Sequence, residues 1–347
     1  MRMYVHNKDI PRPLWEQLMH SSPTATWFQS PEAYDFYASL PRVMTPFAFA
    51  VARPDRLVAL CIGYVTREGT ALRRFFTRRA VIIGGPLLAD DCTPAELQLL
   101  MTTLRDQIAR RAIYIETRNF CDFSRWHDAF LHSGFAYLPH YDMHIDCHDR
   151  QAMLARISES KLRQVRKARS EGVRISEAHT PEEVREFYRL LRRLYRTRVR
   201  RPLFPLSFFL AFVEQKRGVL LLARQSAPAS GGESGASSCI IGGMLCPVLP
   251  GRALYEWYVV GPAVVTFAAL DYANARSLPV FDLMGAGEPG VPYGVRDFKL
   301  GFGGTLREYG RYRAVCRPFL FRLGSLAVRL IHPATRPSQS LKALQTP

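Results

Sequence analysis

FDLMGAGEPGVPYGVRDFKLGFGG, residues 281–304, holds seven of the chain's 23 glycines and orders the reading of everything around it. It opens on the end of an apolar strand (279–284) and passes a glycine-rich turn. A short helix around residues 296–300 follows, then a last strand near 306–315. Upstream, Gly261-Pro262 starts a helix that runs to about residue 277. Residues 218–225 (GVLLLARQ), 239–249 and 253–260 read as strands, and 226–238 (SAPASGGESGASS) as a low-complexity hairpin tip. Further back, 173–176 alternates as a short strand. Pro181 opens a helix with Val184, Phe187, Leu191 and Leu194 on one face, and a second helix from about Pro205 carries Phe208, Phe209 and Phe212.

The first half loosely repeats that order. Helices are expected around 13–19 and 31–40, strands at 43–51, 56–66 and 80–83, and a long helix at 94–111. A strand at 112–117, a helix at 124–132 and a strand after Gly134-Phe135 complete it. In each half, antiparallel strands lead to a helix, an apolar strand, a shorter helix and a closing strand. A duplicated α+β unit fits this better than a doubly wound sheet, which would alternate strands and helices from its start. The polar stretch 144–150 sets the boundary. Domains are expected at 1–149 and 150–316, with a basic amphipathic helix and tail at 317–347.

Composition agrees with two packed domains. The 347 residues are 48% hydrophobic and 22% charged, which excludes a disordered chain, and 23 Gly with 24 Pro exclude a collagen-like one. No apolar run reaches the ~18–20 residues of a membrane span, and residues 1–10 lack the core of a secretion signal, so a soluble, cytoplasmic chain is expected. Seven scattered cysteines without a C-x-x-C pair read as reduced thiols. The net charge of +17 asks for a polyanionic partner. Residues 156–201 carry fifteen basic side chains against six glutamates, more than half of the excess.

The order of elements resembles the GNAT fold (acyl-CoA N-acyltransferase fold) in two tandem copies, with mixed, mostly antiparallel sheets flanked by helices. Three stretches narrow the resemblance to the Fem-type peptidyltransferases FemA, FemB and FemX and their BioF2-like acetyltransferase-domain relatives. SKLRQVRKARSEGV (160–173) looks like the basic helix that opens the family's second domain. LYEWYVVG (254–261) before a helix looks like its central strand and cofactor-side turn. Residues 281–304 are similar to its F-D-x-x-G turn followed by an aromatic-Lys-x-x-Phe-Gly motif. The resemblance covers about 150–315, and the first half through the order of elements and WFQSP (27–31). It implies a cell-wall aminoacyltransferase that joins an amino acid carried on tRNA to an amine of a lipid- or nucleotide-linked peptidoglycan precursor. No cofactor is then tightly bound, the acyl donor being a co-substrate. The alternative within the enzyme class is an acyl-CoA-dependent N-acyltransferase with another acceptor. Residues 259–266 (VVGPAVVT) lack the basic-x-x-G-x-G/A loop that holds coenzyme A, which favours the larger carrier. From a different class, a nucleic-acid or membrane-surface binding module without catalysis also fits the charge.

Amide formation needs a neutral amine and a positive group where the tetrahedral oxyanion develops. Lys299, between Phe298 and Phe302 in a glycine-flanked turn, is the candidate, and the resemblance gives the motif lysine that role; a solvated lysine is the plain alternative. Asp282 and Asp297 are the candidate bases, with Glu116 a third, and for Asp282 the plain alternative is a turn cap. Lys161, Arg163, Arg166 and Lys167 share a helix face suited to phosphates, which Arg192 and Arg196 extend; a solvated face is the alternative. Gly261 at a helix amino end, Tyr258, Gly285 and Tyr293 complete the substrate-binding set, in a site expected between the halves. His140, Asp142, His144 and Asp146 alternate along one strand face as metal ligands could, but such a row is more often a wet polar face, and no metal is expected. RPFLFRLGSLAVRLIH (317–332) could touch the inner membrane face or simply pack on the body.

Overall fold

The computed structural model describes residues 1–67, 78–199, 202–226 and 238–331. Two compact units emerge. One takes Met1–Tyr141, Glu288–Gly290 and the stretch from Glu308 onward; the other takes Asp142–Gly287 and Val291–Arg307.

The first unit is built on strands β1 (Arg2–Tyr4), β2 (Met44–Ala52), β3 (Leu57–Thr66), β4 (Arg79–Gly84), β5 (Leu87–Leu88), β6 (Tyr114–Asn119) and β7 (Ala136–Leu138). β1 to β4 run antiparallel in sequence order, β5 pairs with β3, and β6 joins β4 in parallel. That parallel pair requires a crossover, which the helix Pro94–Ile108 provides. Thr93 and Glu96 cap it reciprocally, and Leu97, Leu100, Met101, Leu104 and Ile108 pack onto Phe47, Phe49 and Val51 of β2.

The second unit repeats the scheme. Its strands are β8 (Tyr141–Asp146), β9 (Val173–Glu177), β10 (Gly218–Ser226), β11 (Ser238–Leu249), β12 (Ala253–Tyr255), β13 (Tyr258–Val260), β14 (Val280–Gly285) and β15 (Thr305–Glu308). They lie in the order β15-β8-β14-β12-β11-β10-β9, with β13 on β11. β12 and β14 pair in parallel, and the helix Ala263–Ala275 makes the crossover. The helices Pro181–Leu194 and Leu206–Glu214 bury Val184, Phe187 and Leu191, and Phe208, Phe209 and Phe212, as their spacing predicted, whereas Leu194, expected on the same face, is only half-buried. The expected α+β architecture of mixed, mostly antiparallel sheets flanked by helices is the one observed.

Three departures from the sequence expectation have physical causes. β8 precedes the boundary expected at 149/150, yet its ladder with β14 places it in the second sheet. The strand expected at 306–315 is two: Thr305–Glu308 stays in the second sheet, while Arg311–Val315 enters the first between β6 and β7. Gly310, at φ +65°, allows the turn between them. The strand expected at 253–260 is interrupted at Glu256–Trp257, which shapes the site below. The low-complexity tip at 227–237 and the tail beyond 331 lie outside the described residues.

Candidate active site

The interruption of 253–260 creates the site. Glu256 N–H donates to Asp282 O (2.8 Å), the last rung towards β14, whereas Trp257 N–H donates to Leu245 O (3.0 Å) and follows β11. Among the described residues no ladder joins β13 to β14 beyond this point, and the β14–β8 register shifts between Asp282 and Gly285. The carbonyls of Leu283 and Gly285 accept from a side chain instead. Lys299, on the helix Gly294–Leu300, reaches back across the glycine turn, donating to Leu283 O and to Gly285 O (3.3 Å) and pairing with Glu256 Oε1 at 2.9 Å.

Lys299 is 5% exposed and Glu256 7%, so both charges are out of water. An ammonium has three N–H donors, and here each has a partner. Burial raises the pKa of Glu256, and the facing ammonium holds the rise in check. Phe298 packs on Phe302 (centroids 5.4 Å apart), and the Lys161 ammonium lies 3.9 Å from the centre of the Phe298 ring. Desolvation there lowers the pKa of Lys161. Lys161 and Phe298 thus form the wall of the motif helix.

A second buried cluster lies on the neighbouring strands. His144 of β8 stands in register with Asp282 of β14, and its Nε2 is 3.1 Å from Asp142 Oδ2 and 3.3 Å from Asp282 Oδ2. Asp282 Oδ1 accepts the Met284 N–H (2.6 Å), holding Met284 at φ +57°, where side chains other than glycine are uncommon. Asp282 is therefore a turn cap through one oxygen and a histidine partner through the other. Asp142 Oδ1 is buried without a hydrogen-bond partner among the described residues. Burial opposes charging His144, but the two carboxylates outweigh it and raise its pKa to about 10. Burial, reinforced by Asp282, raises that of Asp142.

The ligand atoms of Asp142, His144 and Asp282 lie within 4.8 Å of one another, the spacing of a cation site. The imidazolium already supplies a positive charge between the two carboxylates, so the cluster is self-consistent as an ion triad. The other two members of the expected row are elsewhere: His140 Nε2 meets Arg311 (2.8 Å), and Asp146 meets His148 (2.8 Å).

Of the sequence candidates, Lys299, Asp282 and Gly285 come together around β14, with Phe298 alongside. Asp297 is exposed on the motif helix, and Tyr293 sits at that helix's amino end. Glu116 lies in the first unit, bound by Arg311 (3.3 Å), Arg313 and Arg118 (3.5 Å). Burial works against its charge, but the arginines hold its pKa well below the usual carboxylate range. Tyr258 belongs to an aromatic cluster with Phe209 (5.0 Å) and Phe208 (6.0 Å). Gly261, at φ +116°, passes so close to β11 that a Cβ would fall 2.6 Å from Gly242 Cα. The helix after it opens on the buried, apolar Ala263, Val264 and Val265.

The basic helix Glu159–Ser170 differs from its sequence reading in one respect: its excess charge is largely partnered. Arg166 pairs with Glu159 and Lys167 with Glu171 (3.7 Å), while Arg169 reaches Asp271 (3.3 Å) on a helix a hundred residues away. Arg163 and Arg192 are exposed. Glu256 and the link from His144 to Asp282 were not assigned to the site from sequence, and Asp142 and His144 were weighed only as members of a metal-like row. For Glu256 the legible signal was a lone carboxylate inside the otherwise apolar and aromatic LYEWYVVG.

No family model matches the chain, and no curated protein matches it in sequence. Its structure is similar to the crystal structure of FemX, with TM-score 0.67 and 13% identity over 93% of this chain and 99% of that one. It is also similar to L-PGS from Bacillus licheniformis (TM-score 0.52, 12% identity, 91% of this chain and 96% of that one). A tandem GNAT protein from the clavulanic acid biosynthesis pathway matches with TM-score 0.52 and 14% identity, over 91% of this chain and 99% of that one. At these identities the likeness is one of fold: the chain has the tandem GNAT fold that FemX shares.

Proposed function

From that shared fold and the site on β14, we propose that the protein is a Fem-type acyltransferase. It would move an amino acid from its ester on tRNA to an amine of a lipid- or nucleotide-linked peptidoglycan precursor. The observation that carries this reading is the Lys299 ammonium, held out of water in the F-D-x-x-G and aromatic-Lys-x-x-Phe-Gly turn. In the transfer, the amine nitrogen attacks the ester carbonyl, a C–N bond forms, the C–O bond to the ribose breaks, and the proton taken from the amine is returned to the departing ribose oxygen. Lys299 meets the developing oxyanion by exchanging its longest contact, the Gly285 carbonyl at 3.3 Å, for the substrate oxygen. Glu256 keeps the ammonium aimed.

The proton acceptor is chosen by elimination. Both oxygens of Asp282 are engaged, Asp297 is exposed away from the lysine, and Glu116 is held ionised by arginines. Asp142 keeps one buried oxygen without a hydrogen-bond partner among the described residues and a pKa displaced upwards, as a base working near neutrality needs. Lys161, Arg163, Arg166, Lys167 and Arg192 would supply positive charge for carrier or precursor phosphates, with Tyr258, Gly261 and Tyr293 as the proposed lining.

Incubation with a mixed aminoacyl-tRNA pool and either a UDP-linked or a lipid-linked muropeptide, read by mass spectrometry, tests the reading. A mass increase of one aminoacyl residue on the acceptor is expected. Transfer from acetyl-CoA to a simple amine, with none from aminoacyl-tRNA, would replace it by the acyl-CoA-dependent alternative.

A further inference from the structure

The helix Pro318–Ile331 has two faces with different fates. On one, Phe321 lies edge-on to Tyr114 of β6 (centroids 5.6 Å apart) with the Arg313 guanidinium 5.9 Å from its ring centre. Phe321 and Ser325 border a cavity of about 320 Å³ whose opposite wall is Arg313, Val315 and Ala136. This face is seated on the first unit. On the other, Phe319 is 77% exposed, Leu323 44% and Leu326 54%. The spacings of four and three residues gather these three into a stripe roughly 60° wide at 100° per residue. Helices seated on a body ordinarily turn polar residues outward, so an outward apolar stripe asks for an occupant.

The charge around the stripe selects that occupant. Residues 309–347 contain seven Lys and Arg and neither Asp nor Glu. Arg311 and Arg313 are used inside the unit by Glu116, but Arg322, about 40° beyond Leu326 around the helix, is exposed at one edge of the stripe while also bordering the cavity, and Arg317 is exposed just before the helix begins. A second copy docked on the same face would bring like charges together. No described helix is long and apolar enough to cross a membrane. An outward apolar stripe in a segment with only basic charge, with Arg322 at its edge, is the pattern of a helix lying in the plane of an anionic bilayer, side chains in the acyl boundary and guanidinium groups among the headgroups.

We infer that Phe319, Leu323 and Leu326, with Arg322 at the edge of the stripe and the basic charge of the segment around it, dock the protein on an anionic lipid surface. This stands apart from the acyl-transfer reading, because vesicle binding is measured without any substrate. The full chain is floated with vesicles of phosphatidylcholine containing a quarter phosphatidylglycerol, and with pure phosphatidylcholine. Co-flotation with the anionic vesicles only is expected, weakening about tenfold between 50 and 300 mM salt. The triple variant Phe319→Asp, Leu323→Asp, Leu326→Asp should lose at least about 100-fold in partitioning, since three apolar insertions are removed. Circular dichroism and thermal melting confirm that it folds, and Arg322→Gln, a milder change, should weaken binding only a few-fold. The inference is overturned if the wild type floats with neither vesicle, or if the folded triple variant binds as the wild type does. It is equally overturned if light scattering shows a dimer that the triple variant breaks, which would assign the face to a second copy.

Discussion

Replacing Lys299 by methionine distinguishes an ammonium that only holds the fold from one that also meets the substrate. Methionine keeps much of the side-chain volume but deletes all three Nζ–H donors. Glu256 then loses its countercharge, and the carbonyls of Leu283 and Gly285 lose their donor. Removing one partner of a buried ion pair costs roughly 3–5 kcal/mol. Glu256 limits the loss by taking up a proton, which makes the cost depend on pH. Its folded-state pKa is raised by burial and rises further without the lysine, whereas the unfolded glutamate keeps its ordinary value. Between those two values the folded state binds more protons, so stability falls as pH rises through the window. Urea unfolding should therefore find Lys299→Met more destabilised at pH 8 than at pH 5. The double variant Lys299→Met, Glu256→Leu removes both charges and should return to within about 1–2 kcal/mol of the wild type, because apolar pairs often replace buried ion pairs neutrally. Turnover should not return with it. If Nζ meets the oxyanion, both variants lose about 10²–10³-fold in kcat. A stable double variant with wild-type kcat would refute the catalytic role and leave Lys299 as a plug for unpaired carbonyls.

Three further outcomes follow from the same geometry. Asp142→Asn keeps the shape but cannot accept the amine's proton; kcat should fall about 10²–10⁴-fold with KM little changed, and a KM effect alone would argue against the base. His144 has a folded pKa of about 10 against an unfolded value of 6.5, so the stability it contributes is complete below pH 6.5 and is lost as pH rises through 10. The gap in melting temperature between wild type and His144→Gln should accordingly be wide at pH 6 and close towards pH 10, and a constant gap would mean that the charge is irrelevant. Gly261→Ala combines a left-handed backbone with a Cβ 2.6 Å from Gly242 Cα, and should cost about 1–3 kcal/mol in denaturant unfolding.

Local chemistry made much of the molecule legible. Apolar residues three and four apart announced the helices at 181–194 and 206–214, and Pro181 and Pro205 marked their starts. The glycine turn at 285–290 and the lysine between Phe298 and Phe302 were visible because glycine and aromatic spacing are properties of a short segment. The basic helix was equally plain. Its pairing was hidden, because the Asp271 that answers Arg169 lies on another helix.

What sequence determined here is the set of elements and the residue types carried by the turn at 281–304. Tertiary structure alone decided which of them meet. Glu256 faces Lys299 because β12 and β13 break apart at that point, and a break between two strands is written in the ladders of their neighbours. His144 reaches Asp282 through a register between strands some 140 residues apart, and strand Arg311–Val315 leaves one sheet for the other. Pairings of that kind are set by packing a whole core at once, which no window of adjacent residues can encode.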